Sequence, residues 1–282
     1  PYVEAFWKWW PDLYKSMDTF RITGGEPLLS KDTFKVLDEI IETDNPNKEL
    51  KLSINSNLCV DDKLIDKLIE KAKIIINEKR VKEFILYTSV DTEGKQAEFI
   101  RFGLDYKQLF GNIVKILTEI PEITIVVMST FNIFSPFNYE KLIRKIYDYK
   151  VKHFNTTRYW NSPLILDTSY LRYPDFLSFR LLKGYLSLSY FEKLEKYMKF
   201  FSSYRSLNSY QLQEPTDSGF SLKEIEKITR IKDMFIEDSK SNKNFELGKK
   251  KFKHYIADYK KRRNVDCYET FPELRTFINT IK

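Results

Sequence analysis

Five consecutive residues, Thr23-Gly24-Gly25-Glu26-Pro27, have the most specific chemical character in this sequence. Adjacent glycines lack Cβ atoms and tolerate positive φ, so a ligand can approach the backbone of this segment closely. Glu26 places a carboxylate beside that bare backbone, and Pro27 stiffens the turn by restricting φ. Together they suit a small, polar, positively charged group. A tight strand-to-helix turn without a ligand is the alternative that these residues alone leave open.

Polar side chains also follow later predicted strands. Ser89 and Asp91 end one strand, where a hydroxyl and a carboxylate on one face could bind a diol, or could simply form a polar turn. The guanidinium of Arg101 could hold a carboxylate through two hydrogen bonds, or could form a surface salt bridge. Asn55 and Asn57 lie at the end of another predicted strand and could contact substrate or act as turn formers.

The remaining reactive side chains are few and scattered. Cys59 and Cys267 lie far apart in sequence and make no disulfide framework, so a reducing cytoplasm is expected. Cys59 is expected to be a partly buried free thiol. His153 and His254 have no partner at metal-ligand spacing, so no metal site is predicted within this chain. No apolar run is long enough to cross a membrane, so no membrane partner is expected.

Strand and helix patterns alternate through the first 170 residues. Strands are predicted at residues 19–23, 49–57, 82–90, 123–129 and 163–167. The intervening helices include one capped by Ser30 and one capped by Asp61. This alternation predicts a parallel sheet with right-handed crossovers, and ligands bind at the carboxyl ends of the strands in such sheets. The polar residues described above stand at those ends.

From residue 171 onward the pattern becomes helical. Helices are predicted at residues 190–201, 221–236, 245–262 and 272–281, and residues 202–219 are expected to form a loop. Ser221 and Glu224 have the spacing of a capping box.

The net charge of +7 resides in one segment of the chain. Residues 238–263 contain ten lysines and arginines against three acids, which equals the charge of the whole chain. A solvated helix face is expected there, and a docking site for an acidic partner is the alternative. No nucleic-acid-binding motif is present, so nucleic acid is not an expected partner.

Residues 23–27 resemble the GGEP motif of radical S-adenosylmethionine (radical SAM) enzymes, and the order and spacing of motifs resemble that superfamily over residues 19–167. More loosely, the chain is similar to radical SAM proteins of marine phages and bacteria, some with a twitch extension. The fragments that carry this likeness are residues 20–29, 94–98 and 266–272. The resemblance implies a partial (β/α)6 barrel at residues 1–170, contributing strands two to six, and a helical extension at residues 171–282.

The same resemblance implies an activity. Enzymes of this superfamily cleave S-adenosylmethionine reductively at a [4Fe–4S] cluster, and the resulting 5′-deoxyadenosyl radical abstracts hydrogen from a substrate, which is unknown here. An external donor such as flavodoxin or ferredoxin supplies the electron. The residues implied to hold the cofactor are, for its amino group, Gly24, Gly25, Glu26 and Pro27; for its ribose, Ser89 and Asp91; and for its carboxylate, Arg101.

The sequence departs from the superfamily at the cluster. Three cysteines in a C-x3-C-x2-C loop normally hold it, and the two cysteines of this chain cannot supply three thiolates. That loop normally precedes the GGEP motif by more residues than stand before Gly24, so we expect the cluster cysteines upstream of Pro1. Without them the chain should bind cofactor weakly and cleave nothing. The second hypothesis is a non-catalytic protein on the same scaffold that binds a nucleotide or peptide.

Overall fold

A computed structural model describes residues 1–154, 162–202, 219–240 and 245–281 of the 282-residue chain. Nearly all of the predicted loop at 202–219 therefore lies outside the described residues. The described part is an α/β protein, as the alternating pattern predicts.

Five strands form one sheet in chain order: β1 (Thr19–Ile22), β2 (Lys51–Asn55), β3 (Glu83–Ser89), β4 (Thr124–Phe131) and β5 (Leu164–Tyr170). β2 pairs in parallel with both β1 and β3. Two backbone hydrogen bonds, Ile125 N to Pro163 O and Leu171 N to Phe131 O, advance together along β4 and β5, as in parallel pairing. β1 and β5 are the edges of this described sheet, which is therefore open.

The helices have the following bounds: α1 (Tyr2–Ser16), α2 (Lys31–Glu42), α3 (Asp62–Asn77), α4 (Gly94–Ile100), α5 (Tyr106–Glu119), α6 (Tyr139–Lys152), α7 (Leu188–Phe200), α8 (Leu222–Lys240), α9 (Glu246–Arg263), α10 (Cys267–Thr270) and α11 (Leu274–Asn279). Both predicted caps are confirmed: Ser30 Oγ accepts from Asp32 N at 3.3 Å, and Asp61 Oδ1 accepts from Lys63 N at 2.8 Å. Among the described residues, every helix is too short or too polar to span a lipid bilayer.

The sequence pattern predicts no helix where α4 forms. This helix has only seven residues and begins at Gly94, whose φ of +62° lies in the left-handed region. Its side chains are held by tertiary contacts, since Phe99 meets the rings of Phe134 and Phe271 edge-on and Gln96 Nε2 donates to Thr270 O at 3.1 Å. A helix of seven residues is stable only with such tertiary packing. Contacts with distant residues produce no periodic hydrophobic pattern in the sequence, so the pattern does not predict this helix.

The chain divides into two compact units, each assembled from separate stretches of sequence. The first unit comprises Pro1–Thr88, Gln108–Val126 and His153–Pro163. The second unit comprises Ser89–Lys107, Val127–Lys152 and Leu164–Lys282. The sequence pattern instead divides the chain at residue 170, into a partial barrel and a helical extension. This division does not coincide with the bounds of the two compact units, and it stays a prediction.

Apolar side chains from β2, α2 and α3 fill the core of the first unit. Leu52, Ile54, Leu37, Ile40 and Leu68 are all fully buried there. α1 joins this unit through aromatic contacts, because buried Trp10 lies edge-on to Phe20 of β1 at 5.3 Å between ring centroids. These contacts hold β1, and hence the segment that follows it, in place.

Aromatic rings dominate the core of the second unit, and α9 packs closely against it. Phe134 lies 5.5 Å from Phe252 of α9 and 4.9 Å from Phe271, measured between ring centroids. Gly248 permits this approach, since a Cβ atom there would stand 2.8 Å from Leu181 Cδ2. α9 therefore buries a narrow stripe and leaves its lysines and arginines outward.

Lys150 and Glu224 form a buried ion pair in the second unit. Lys150 of α6 is completely buried, and its Nζ donates to both carboxylate oxygens of Glu224 and to Leu164 O, each at 2.9 Å. Glu224 Oε1 also accepts from Leu166 N at 2.8 Å. The predicted capping box is confirmed too, because Glu224 Oε2 accepts from Ser221 N at 2.8 Å and Ser221 Oγ contacts Glu224 N at 3.4 Å. One glutamate thus caps α8 and joins it to α6 and β5.

Candidate functional site

The glycine-rich segment after β1 exposes its backbone in the first unit. Thr23, Gly24 and Gly25 are exposed, and Gly24 has a φ of +142°, a conformation that side-chain-bearing residues rarely adopt. A Cβ atom at either glycine would meet no other atom within 4 Å, so open space borders both. Pro27 then begins a short 3-10 helix, Pro27–Leu29. The predicted bare backbone at a strand end is present.

Glu26 ties this turn to the end of the neighbouring strand. Its Oε1 accepts from Ser56 Oγ at 2.7 Å and from Leu28 N at 3.1 Å, and its Oε2 accepts from Asn57 N at 2.8 Å. A carboxylate has about four lone-pair positions, so about one acceptor position is left for a ligand. The charge of Glu26 stays beside the exposed glycines while its hydrogen bonds make the turn rigid.

Asn55, the last residue of β2, and Asn57, two residues later, both have partners in their own unit. Asn55 Oδ1 accepts from Arg21 Nε at 2.8 Å, and the Arg21 guanidinium stacks on the ring of Tyr87 at 4.1 Å. Asn57 Oδ1 accepts from Cys59 N at 2.7 Å, the turn-forming contact that was the alternative to substrate binding. Contact of Asn55 or Asn57 with substrate stays a prediction.

In the second unit, Ser89 and Asp91 differ in burial. β3 ends at Ser89, which is half-buried, whereas Asp91 is only 3% exposed. β3 ends at Ser89, so the expectation that the strand continues to Asp91 is wrong, and a shared face of Ser89 and Asp91 stays a prediction. Their contact with a ribose stays a prediction.

Asp91 instead binds Arg101. Asp91 Oδ2 accepts from Arg101 Nε at 2.9 Å, and Oδ1 accepts from Arg101 Nη2 at 3.2 Å and from Thr130 N at 2.7 Å. The salt bridge considered as an alternative for Arg101 is thus present, with a buried partner rather than a surface one. The Arg101 side chain remains 37% exposed. The pair fixes one edge of the guanidinium, and no side-chain hydrogen bond from the described residues occupies the other edge.

A buried hydroxyl cluster near the same strand ends gave no signal in the sequence. Tyr139 is fully buried, and its hydroxyl donates to Ser129 Oγ at 3.2 Å and lies 2.8 Å from Thr168 Oγ1. Burial raises the pKa of Tyr139 well above its usual range. A phenol in this state is neutral at physiological pH, so it serves as a hydrogen-bonding group that holds β4 and β5 to α6.

The thiols of this chain do not fit a [4Fe–4S] cluster. Cys59 is half-buried, and Cys267 is buried in the second unit, where burial raises its thiol pKa to about 12. Iron–sulfur clusters are ligated by thiolates, and a thiol with that pKa stays protonated. Across the described ranges, no three His, Cys, Asp or Glu side chains are grouped as a metal ion would require. The exposed glycine backbone of the first unit suits an ammonium group, and the Arg101 guanidinium of the second unit suits a carboxylate.

A groove of about 710 Å³ lies on the second unit, and its lining includes none of the residues described above. Its walls include Arg144 and Lys145 of α6 and Tyr197 of α7. Arg144 pairs with Asp148 and Lys145 with Glu93, so its charges are largely matched within the protein. Concavity alone does not indicate function here, and the strand-end residues carry the functional argument.

No protein-family model matches this chain, and a search of curated proteins returned no match.

Proposed function

We propose that this chain is the greater part of a radical SAM enzyme. The observation that carries the proposal is the segment Thr23-Gly24-Gly25-Glu26-Pro27, which follows the first strand of a parallel sheet with open space beside its glycines. Glu26, hydrogen-bonded to the turn after β2, supports the proposal further because it makes this open backbone rigid. The resemblance to the GGEP motif thus coincides with a backbone suited to bind a small cation.

For the fold, we propose a partial (β/α) barrel followed by a helical extension from residue 171. The strand order β1-β2-β3-β4-β5 supports it, because right-handed crossovers then all step in the same direction. Barrels are wound in this way, whereas doubly wound sheets reverse direction at a switch point. β1, as an edge strand, would be the second strand of the barrel.

The chain's own residues would bind and orient S-adenosylmethionine. The exposed backbone of Gly24 and Gly25 would accept hydrogen bonds from the ammonium, and the nearby charge of Glu26 would favour that cation. Ser89 would bind the ribose, and Arg101 would hold the carboxylate through its open edge. Asn55 and Asn57 are proposed on the substrate side.

The cluster would need three thiolates from outside this sequence. When bound, it supplies the electron, received from flavodoxin or ferredoxin, that cleaves S-adenosylmethionine and starts hydrogen abstraction from a still unidentified substrate. Two free thiols suit a reducing compartment, so the proposal places the protein in the cytoplasm.

The test is the iron and sulfide content, with the UV–visible spectrum, of protein expressed anaerobically from the complete reading frame. The proposal expects about four irons per chain and a thiolate-to-iron absorption that dithionite bleaches. A matched protein with the upstream cysteines changed to alanine should lack both. An absence of iron after reconstitution, together with an upstream sequence that lacks three cysteines, would refute the proposal.

One observation favours a second candidate, a non-catalytic protein that binds a nucleotide or peptide and docks through α9. The outer face of α9 exposes Lys250, Lys251, Lys261 and Arg262. Salt-sensitive binding to poly-L-glutamate that falls in K250Q/K251Q, but not in the control K31Q/K63Q, would favour this candidate. Equal weak binding by both variants would contradict it.

A further inference from the structure

We infer that Asp91 is a positioning residue, which orients Arg101 to receive a carboxylate, rather than a ligand of the ribose. The identity of the ligand, S-adenosylmethionine, rests on the proposed function. The geometry that supports the inference lies wholly within the second unit.

Three of the about four acceptor positions of the Asp91 carboxylate are occupied within its own unit. Each of its oxygens accepts at least one hydrogen bond, and Oδ1 accepts two, from Arg101 Nη2 and Thr130 N. About one acceptor position is left and the residue is 3% exposed, so the two hydroxyls of a ribose diol could both bind only by entering a closed site and displacing one of these bonds. Breaking a charge-assisted hydrogen bond to form another brings little net gain. Asp91 is therefore poorly placed to bind a diol.

Within the described part of the chain, Arg101 is held on one edge of its guanidinium and is free on the other. Asp91 takes Nε and one Nη2 hydrogen, which leaves about three of the five guanidinium donors for a ligand. Hydrogen bonds also fix the backbone of Arg101, because its N donates to Ala97 O at 2.9 Å and its O accepts from Leu104 N at 2.9 Å. The free edge belongs to a side chain that is 37% exposed.

Asp91 affects ligand binding in two opposing ways. Its negative charge repels a ligand carboxylate, but it also removes the rotamer freedom of the long Arg101 side chain before a ligand binds. Thr130 N anchors Asp91 in turn, so the guanidinium is fixed relative to β4 before a ligand arrives. Orientation outweighs repulsion because the free edge needs both of its parallel donors to be aligned with the ligand.

The experiment compares two ligands that differ only in the carboxylate, S-adenosylmethionine and decarboxylated S-adenosylmethionine. Calorimetry would give their Kd values for the wild-type full chain, Asp91→Asn, Arg101→Gln and the double variant. Arg101→Gln is expected to weaken S-adenosylmethionine about tenfold, and Asp91→Asn about threefold to tenfold, with the decarboxylated ligand unchanged. The double variant should bind no worse than Arg101→Gln alone, because Asp91 acts through Arg101.

Three results would overturn the inference. First, Asp91→Asn could weaken the binding of both ligands equally, which is the effect expected from the loss of a ribose-binding side chain, as in Ser89→Ala. Second, its effect could add to that of Arg101→Gln. Third, it could improve the binding of S-adenosylmethionine. If Asp91→Asn does not fold, Arg101→Lys replaces it as the test. A lysine ammonium cannot make two parallel hydrogen bonds to the Asp91 carboxylate and two more to the ligand carboxylate. Arg101→Lys should therefore bind S-adenosylmethionine no better than Arg101→Gln.

If wild-type protein expressed from the complete reading frame binds neither ligand, the proposed function fails, and the inference is tested by NMR. The guanidinium signal of Arg101, assigned by its loss in Arg101→Lys, is followed as L-methionine is added. A shift in the wild type that is lost in Asp91→Asn supports the positioning role without S-adenosylmethionine. An unchanged Arg101 signal in the wild type refutes it.

Discussion

Replacing Lys150 by methionine tests how the second unit is held together. The change keeps the apolar stem of the side chain but removes an ammonium that makes three hydrogen bonds at 2.9 Å. Glu224, only 3% exposed, would then lack its counter-charge, and Leu164 O would lack a donor. Water cannot readily replace the ammonium at a completely buried site.

The expected loss in the free energy of unfolding is about 3 kcal/mol. Breaking a buried ion pair by removing one partner costs roughly 3–5 kcal/mol, because the remaining charge is left uncompensated. The lower end applies, since Glu224 keeps its hydrogen bonds from Leu166 N and Ser221 N. Removing the charge as well, in Lys150→Met/Glu224→Gln, should make the double variant more stable than Lys150→Met by about 1 kcal/mol or more.

Urea unfolding followed by far-UV circular dichroism measures these differences. Arg144→Met is the matched control, because Arg144 lies on the same helix and its ion pair with Asp148 is exposed on both sides. Its expected loss is below about 1 kcal/mol. If Lys150→Met loses no more than this control, the argument that the buried pair is desolvated and irreplaceable is wrong.

Three further predictions concern single side chains. Gly24→Ala should lower the free energy of unfolding by about 1–3 kcal/mol, because φ is +142° at Gly24. Gly25→Ala in the same turn should lower it clearly less, because φ at Gly25 lies in an ordinary range. Equal losses in the two variants would contradict this prediction. Burial opposes the charged form of Glu195, but hydrogen bonds from Lys199, Lys232 and Thr229 outweigh it and lower its pKa to about 2. The stability that Glu195 contributes is therefore fully present above about pH 5 and is lost as the pH falls towards 2. In Glu195→Gln, the midpoint of urea unfolding should change less with pH over this range than in the wild type. Glu192→Gln, at an exposed site on the same helix, should behave like the wild type. Burial raises the pKa of the Cys267 thiol to about 12, so a thiol reagent at pH 8 should modify only one thiol, Cys59, in the folded chain. Folded Cys59→Ser should not be modified, and urea should make Cys267 reactive in both proteins. Rapid modification of Cys267 in the folded chain would contradict its burial.

The fold was largely predictable because its signals are local. Alternating strand and helix patterns predicted five parallel strands, and Ser30 and Asp61 marked helix starts through hydrogen bonds to residues two positions away. α4 was missed because its stability comes from Phe99 and Gln96 packing against distant residues, and a seven-residue segment shows no clear period.

The candidate site was predictable in its residue types but not in its contacts. The sequence placed Glu26 beside exposed glycines, but it could not reveal that Ser56 and Asn57 bind the carboxylate from about thirty residues away. It likewise left Asp91 and Arg101 as two separate ligands, whereas the chain leaves the strand after Ser89 and pairs them.

What the sequence by itself determined are the features that depend on neighbours within one helical turn or one strand: where elements begin, which faces are apolar, and which backbone is free of side chains. Tertiary structure alone decided which charges meet. Lys150 and Glu224 are 74 residues apart, and each side chain would be an ordinary surface residue in another context. A hydrogen bond depends on atoms being within about 3 Å in space, and only the folded chain brings these residues that close.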